Sequence, residues 1–424
     1  MTETDQIKKN FIIFLVGSFS CIYYYVLGFF NITILPYLIT TIFLIINFKN
    51  LKFTFLQLVV LLFLTFYFVI VISYNENFLI ILRNFQYWFG ITFFLIFLNN
   101  YNYRVPNLFY RYLFIFLCLQ LLLEVILINS IAELKNFHNY EFANEFFGFY
   151  SRPIGFAGST SSSITIICAL FCYLKYDKKY NFQKFEYLLL FLCLLLSLSH
   201  TGYIIFSCIF LYEVITQKKV NFNILFLTFI SICLILILQE IYTSNVRSPI
   251  NHLTDVLNFK YLAIKITLLD FKLSFSQSYD YYIANTFSAL FSYDNLTNFS
   301  LTDLKSISLK YMEIPNKYVY SGKEFVFTDL TKINIIEHKS IKESFFGVQL
   351  HWPIQLVGGD FALLMMLNAI GIFGFFLYFS IIFLLGKNFK NLAFLILIIG
   401  SLHYGAIMTV CGQFVLALII SKNK

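Results

Sequence analysis

Apolar runs recur from one end of the chain to the other, separated by short polar stretches. A helix needs about 20 apolar residues to cross the hydrocarbon core of a bilayer. Eight runs read as single spans: 11–29, 32–48, 54–73, 78–98, 109–129, 157–174, 221–240 and 361–385. Two more, 185–216 and 391–421, are too long for one crossing, since each would reach roughly 46 Å as a single helix. Polar and small residues interrupt both. They are Ser197, Ser199, His200, Thr201 and Gly202 in one run, and Ser401, His403, Tyr404 and Gly405 in the other. Each long run therefore reads as a hairpin of two short spans. The expected fold is an all-α polytopic membrane protein with about twelve transmembrane helices.

Basic residues set the orientation. Lys184 precedes the first long run, and Lys218 and Lys219 follow it. Lys387 and Lys390 precede the second, and Lys422 and Lys424 follow it. Cytoplasmic loops carry the excess of Lys and Arg, so both hairpins point their tips outward and both termini lie inside. Sixteen of the 30 Lys and Arg then fall on cytoplasmic segments. Lys135 and Arg152 lie in short outer loops, and Arg83 lies just inside a span. The remaining eleven lie in one large periplasmic loop, and long loops translocate regardless of charge. The expected division is spans one to nine over 1–240, the loop over 241–360, and the last three spans over 361–424. The loop holds half of the 22 acidic residues. Within it, 256–275 reads as an interfacial helix, and 318–327 as a hairpin turning at Ser321-Gly322. Lys8 and Lys9 open the first span, and Tyr23-Tyr24-Tyr25 stands where a cleaved signal would carry small residues, so that span reads as retained.

Composition agrees. The chain is 59% hydrophobic and 12% charged, against about 45–50% and a quarter in soluble proteins. This argues against a soluble enzyme, a disordered chain and a disulfide scaffold. The net charge of +8 belongs to the topology, and no nucleic-acid partner is expected. All eight cysteines lie in apolar runs, where a free thiol acts as a small hydrophobe. No Asp-x-Asp or His-x-x-x-His occurs, so no metal site is expected, and no nucleotide-binding loop suggests a cofactor.

Candidate chemistry collects at the outer boundary. Three of 17 glycines fall in 148–158 and five in 347–374. The first stretch contains Arg152-Pro153-Ile154-Gly155-Phe156. An arginine beside a glycine-rich turn grips phosphate oxygens in pairs, or else snorkels to headgroups. Arg83 and Glu124 lie inside spans near their outer ends, where charges are costly and either functional or paired with each other. The second stretch carries His351-Trp352-Pro353, then Gly358-Gly359-Asp360, then Gly371 and Gly374. Asp360 is placed to act as a general base or to cap the next helix. Gly371 and Gly374 read as helix-packing residues. All six histidines fall outside the membrane, with His351 favoured by its neighbours and His200 and His403 by the hairpin tips.

In this order, these stations resemble bacterial O-antigen or capsule repeat-unit polymerases of the Wzy type, and more distantly O-antigen ligases. The residues that carry the resemblance are Arg152-x-x-Gly155-Phe156, Ser197-x-Ser199-His200-Thr201-Gly202, the large loop after the ninth span, and the glycine-rich run at 346–374. Where ligases carry a His-Asn pair, this chain has Asp360-Phe361. The resemblance implies a metal-independent glycosyl transfer at the outer face of the bacterial inner membrane. It implies donor and acceptor glycans linked to undecaprenyl diphosphate, with a flippase and a chain-length regulator as possible associates. Arg152, Arg83 and Arg247 would hold the diphosphate, with Gly155 and His200 at the same site. Asp360, Glu124 or His351 would position or deprotonate the acceptor hydroxyl. An O-antigen ligase and a lipid-linked oligosaccharide flippase are the rival readings.

Overall fold

The computed structural model describes residues 3–22, 35–46, 53–74, 78–100, 105–131, 145–146, 150–216, 222–242, 257, 264, 317–320, 323–329, 332–333, 341–347, 362–387, 389, 391–403 and 405–421. The described residues are mostly helical. In order come α1 (Glu3–Cys21), α2 (Leu35–Ile46), α3 (Phe55–Tyr74), α4 (Phe78–Phe89), α5 (Ile91–Asn100) and α6 (Asn107–Ser130). Short strands β1 (Glu145–Phe146) and β2 (Tyr150–Ser151) lead into α7 (Thr160–Cys172), which a π-helical turn extends over Tyr173–Asp177. Then follow α8 (Lys184–Ser197), α9 (His200–Thr216) and α10 (Phe222–Tyr242). The last segments are strands β3 (Lys317–Tyr320), β4 (Lys323–Asp329) and β5 (Lys332–Ile333), then helices α11 (Ile341–Phe346), α12 (Ala362–Leu385), α13 (Leu392–Gly400) and α14 (Val410–Ile420).

Among the described residues, three helices are long and apolar enough to cross a membrane: Phe55–Ser73, Asn107–Ser130 and Ala362–Leu385. Their neighbours are apolar but shorter. Large apolar side chains also point outward, as at Leu62 (68% exposed), Ile215 (82%) and Ile241 (67%). Such patches are a liability in water and suit contact with lipid.

Both long runs break where their polar residues fall. Leu198 takes a left-handed conformation (φ +47°) and ends α8. The Ser199 hydroxyl then accepts from the Gly202 amide at 3.2 Å and caps α9. The second run ends α13 at Gly400 and resumes at α14, capped by Thr409, which accepts from the Gly412 amide at 3.1 Å. The expected span 78–98 is instead two helices, because the chain turns at Gly90 and the Phe93 amide bonds back to the Gly90 carbonyl at 3.1 Å. The hairpin expected at 318–327 is present: β3 and β4 pair antiparallel, with Tyr320 opposite Lys323. The expected interfacial helix at 256–275 lies outside the described residues, except for 257 and 264.

The chain divides into two units. The first comprises Met1–Val59, Phe89–His252 and Ile381–Lys424. Its axis is α7, where every side chain is buried. Helices α6, α8, α9, α13 and α14 pack around it. Gly400 and Gly202 permit this approach: a Cβ at Gly400 would lie 2.3 Å from Thr165 Cγ2, and one at Gly202 would lie 2.5 Å from Ile164 Cγ2. Helix α6 runs antiparallel to α7, since Tyr110 and Phe114 near its start meet Tyr173 and Phe171 at the far end of α7. At that end two ion pairs close the bundle. Arg111 Nε lies 2.7 Å from Glu186 Oε1, and Lys175 pairs with the buried Glu213, which also accepts from the Tyr176 hydroxyl at 2.7 Å.

The second unit comprises Val60–Trp88 and Leu253–Ser380. Among its described residues, α12 kinks at Gly371 (φ +69°). Gly347 (φ +85°) crosses there so closely that a Cβ on Gly371 would lie 2.4 Å from the Gly347 nitrogen. A kink frees a carbonyl that a bilayer cannot solvate. The Tyr67 hydroxyl supplies the missing donor, 3.2 Å from the Ile370 oxygen and 2.9 Å from the Phe346 oxygen. Gly374 lets the Tyr67 ring pack, as a Cβ there would sit 3.2 Å from Tyr67 Cε2.

Candidate functional site

The candidate site lies at the end of the first unit opposite the two ion pairs. It begins with the loop between β2 and α7, whose main chain is tied on both sides of Arg152. The Asn129 side-chain amide bonds Ser151 reciprocally: Nδ2 donates to the Ser151 carbonyl at 2.9 Å, and Oδ1 accepts from the Ser151 amide at 2.8 Å. The Glu124 carboxylate accepts from the Ile154 amide at 2.9 Å and from the Gly155 amide at 2.7 Å. The Thr160 hydroxyl donates to the Pro153 carbonyl. Ser163 Oγ accepts from the Ala157 amide at 3.1 Å. Gly155 takes a left-handed φ of +87°, and a Cβ there would lie 2.2 Å from Ser163 Oγ. Only glycine suits that turn.

The loop ends on the Ser159 hydroxyl, which caps α7 by accepting from the Ser162 amide at 3.1 Å. In the first turn of α7, Ser161 Oγ lies 3.2 Å from Ser199 Oγ and joins this end to the cap of α9. His200 opens α9, with Nε2 3.2 Å from Gln239 Oε1 on α10. Arg152 is half-buried, and its charge reaches His200. Tyr150 is placed by its hydroxyl, which donates to the Leu196 carbonyl at the end of α8. Burial first, and the Glu124 carboxylate second, hold its phenol above the ordinary range, so it remains a neutral donor. The buried Tyr203 lies one turn along α9 from His200, their rings 6.4 Å apart.

The structure thus gathers Arg152, Gly155, Glu124 and His200 at one end of one unit. Arg83 lies on α4 in the other unit, and its side chain is outside the described residues. Arg247, His351 and Asp360 also lie outside them. Asn129, Thr160, Ser163 and Gln239 were not singled out by sequence. The available signal was a polar side chain within two turns of a span's end. Among the described residues, no group of three or more His, Cys, Asp or Glu is placed to hold a metal ion. No protein-family model, curated protein or solved structure matches the chain.

Proposed function

We propose that the chain polymerises oligosaccharide repeat units carried on undecaprenyl diphosphate into O-antigen or capsular polysaccharide. In this reading the chain spans the bacterial inner membrane twelve times, with both termini in the cytoplasm. The 241–360 segment is then a large periplasmic loop. The anomeric C–O bond to the donor's diphosphate breaks, and a glycosidic C–O bond forms to a hydroxyl of the acceptor unit. Undecaprenyl diphosphate leaves, and the hydroxyl proton passes to a base, for which Asp360 and His351 are the candidates. Charge develops on the departing diphosphate, and fixed cations in a dry site stabilise it.

The observation that carries the reading is the fixed loop around Arg152. A half-buried guanidinium on a main chain tied at Ser151, Pro153, Ile154 and Gly155 is held in advance of its ligand. A cation that only reached for headgroups would need no such mounting. Arg83 and Arg247 are candidates for the remaining charge, and His200 for a contact to the sugar or phosphate.

The test is a deletion strain whose surface glycan is resolved by size. Polymerase activity predicts collapse of the ladder to a core bearing one repeat unit. Long polymer retained on its lipid carrier would instead indicate a ligase, and repeat units trapped on the cytoplasmic face a flippase. Cysteine labelling near residue 320 from outside permeabilised cells tests the topology, and protection there would overturn it.

A further inference from the structure

We propose that Glu124 and Asn129 are positioning residues that act through the main chain of the Arg152 loop to fix where its guanidinium meets the donor's diphosphate. This rests on the reading of Arg152 as the diphosphate-binding residue. Three observations carry it. Asn129 spends both ends of its amide on Ser151, the residue before Arg152. Glu124 spends one carboxylate oxygen on each of two successive amides, at Ile154 and Gly155, just after it. Both side chains come from the last two turns of α6. Arg152 is thereby bracketed from a rigid element, which holds a site more exactly than a loop can alone.

Each Glu124 oxygen accepts from one main-chain amide, a use of the carboxylate that needs no proton transfer. Glu124→Gln retains one acceptor oxygen and turns an N–H group toward the second amide, so one donor faces another. Asn129→Ala removes both bonds to Ser151. Either change lets the loop shift, and a displacement of about 1 Å costs on the order of a hundredfold in rate.

The experiment uses the purified full chain in lipid nanodiscs, with geranylgeranyl diphosphate as the binding probe and lipid-linked repeat units as substrate. Arg152→Ala is expected to lose probe binding. Glu124→Gln and Asn129→Ala are each expected to weaken it about tenfold or more and to raise KM for the donor. In the Arg152→Ala background neither should cost anything further, because residues acting through one group are not additive. Wild-type probe binding by folded Glu124→Gln and Asn129→Ala would overturn the positioning role while leaving Arg152 intact. Losses that multiply with Arg152→Ala would also overturn it, and would return Glu124 to direct chemistry. If the wild-type chain fails to bind the probe, or Arg152→Ala binds it normally, the reading of Arg152 falls and the positioning role falls with it. Should Glu124→Gln fail to fold, Asn129→Ala decides.

Discussion

The helices of the first unit run between two ends that handle buried charge differently. At the end formed by the start of α6 and the finish of α9, carboxylates meet cations: Glu186 pairs with Arg111, and Glu213 with Lys175. Aromatic rings surround these pairs, with Lys175 5.5 Å from the Phe171 ring centre and 5.6 Å from that of Tyr187. At the opposite end the buried Glu124 is held by two main-chain amides. The first arrangement locks helices to one another. The second turns a carboxylate into a clamp for a loop, and the loop carries an arginine. Similar residues therefore serve closure at one end and placement at the other.

The largest expected effect falls on the loop end. Arg152→Lys keeps the charge but loses the planar fork that matches phosphate oxygens. Polymer should drop by on the order of a thousandfold, the scale of losing one transition-state donor, with the protein still in the membrane. Near-normal polymer would erase the distinction between the ends. At the closed end, Lys175→Met leaves Glu213 buried beside Tyr176 without its cation. Stability should fall by about 3 kcal/mol, measured by thermal unfolding in detergent, while polymer per folded molecule stays constant. A specific loss of activity there would mean that closure is not that end's whole role.

Gly155→Ala sharpens the comparison at smaller scale. Its Cβ would meet Ser163 and its φ is left-handed. Activity should fall roughly tenfold, as expected for a strain of one to two kcal/mol. The smallest effect concerns Asp177, at the closed end. Partial desolvation by the surrounding protein pushes its carboxyl up to about 6, with Lys178 opposing, although Asp177 itself is exposed and solvent screens the effect. A carboxyl raised in the folded state binds more protons than in the unfolded one, so stability falls as pH rises from about 4 to about 6. Asp177→Asn should therefore stabilise the protein by about 1 kcal/mol at pH 7.5, allowing for solvent screening. That gain should vanish near pH 4, and a gain unchanged with pH would contradict the assignment.

Local features were legible in the sequence. Polar residues at 197–202 mark a real helix break, because Leu198 and Ser199 provide the turn and the cap within the run itself. The strands on either side of Ser321-Gly322 pair antiparallel, as the sequence there suggested. Gly155 and Arg152 stood out as a turn beside a charge. The features that give the site its geometry are long-range, and periodicity does not carry them. Nothing near Glu124 announces that its partners are amides some thirty residues later. Tyr67 looks like one aromatic among many, yet it satisfies a kink on the far side of the sequence. The turn at Gly90 was hidden inside an apolar run, where hydropathy alone shows no break.

The most direct measurement is reconstitution. The purified chain would be mixed with repeat units linked to undecaprenyl diphosphate, with no other protein present, and the products resolved by size. The account predicts a ladder of carrier-linked polymer from the wild type and only unextended units from Arg152→Lys. Unextended units from a folded wild-type protein, or equal ladders from both, would contradict it.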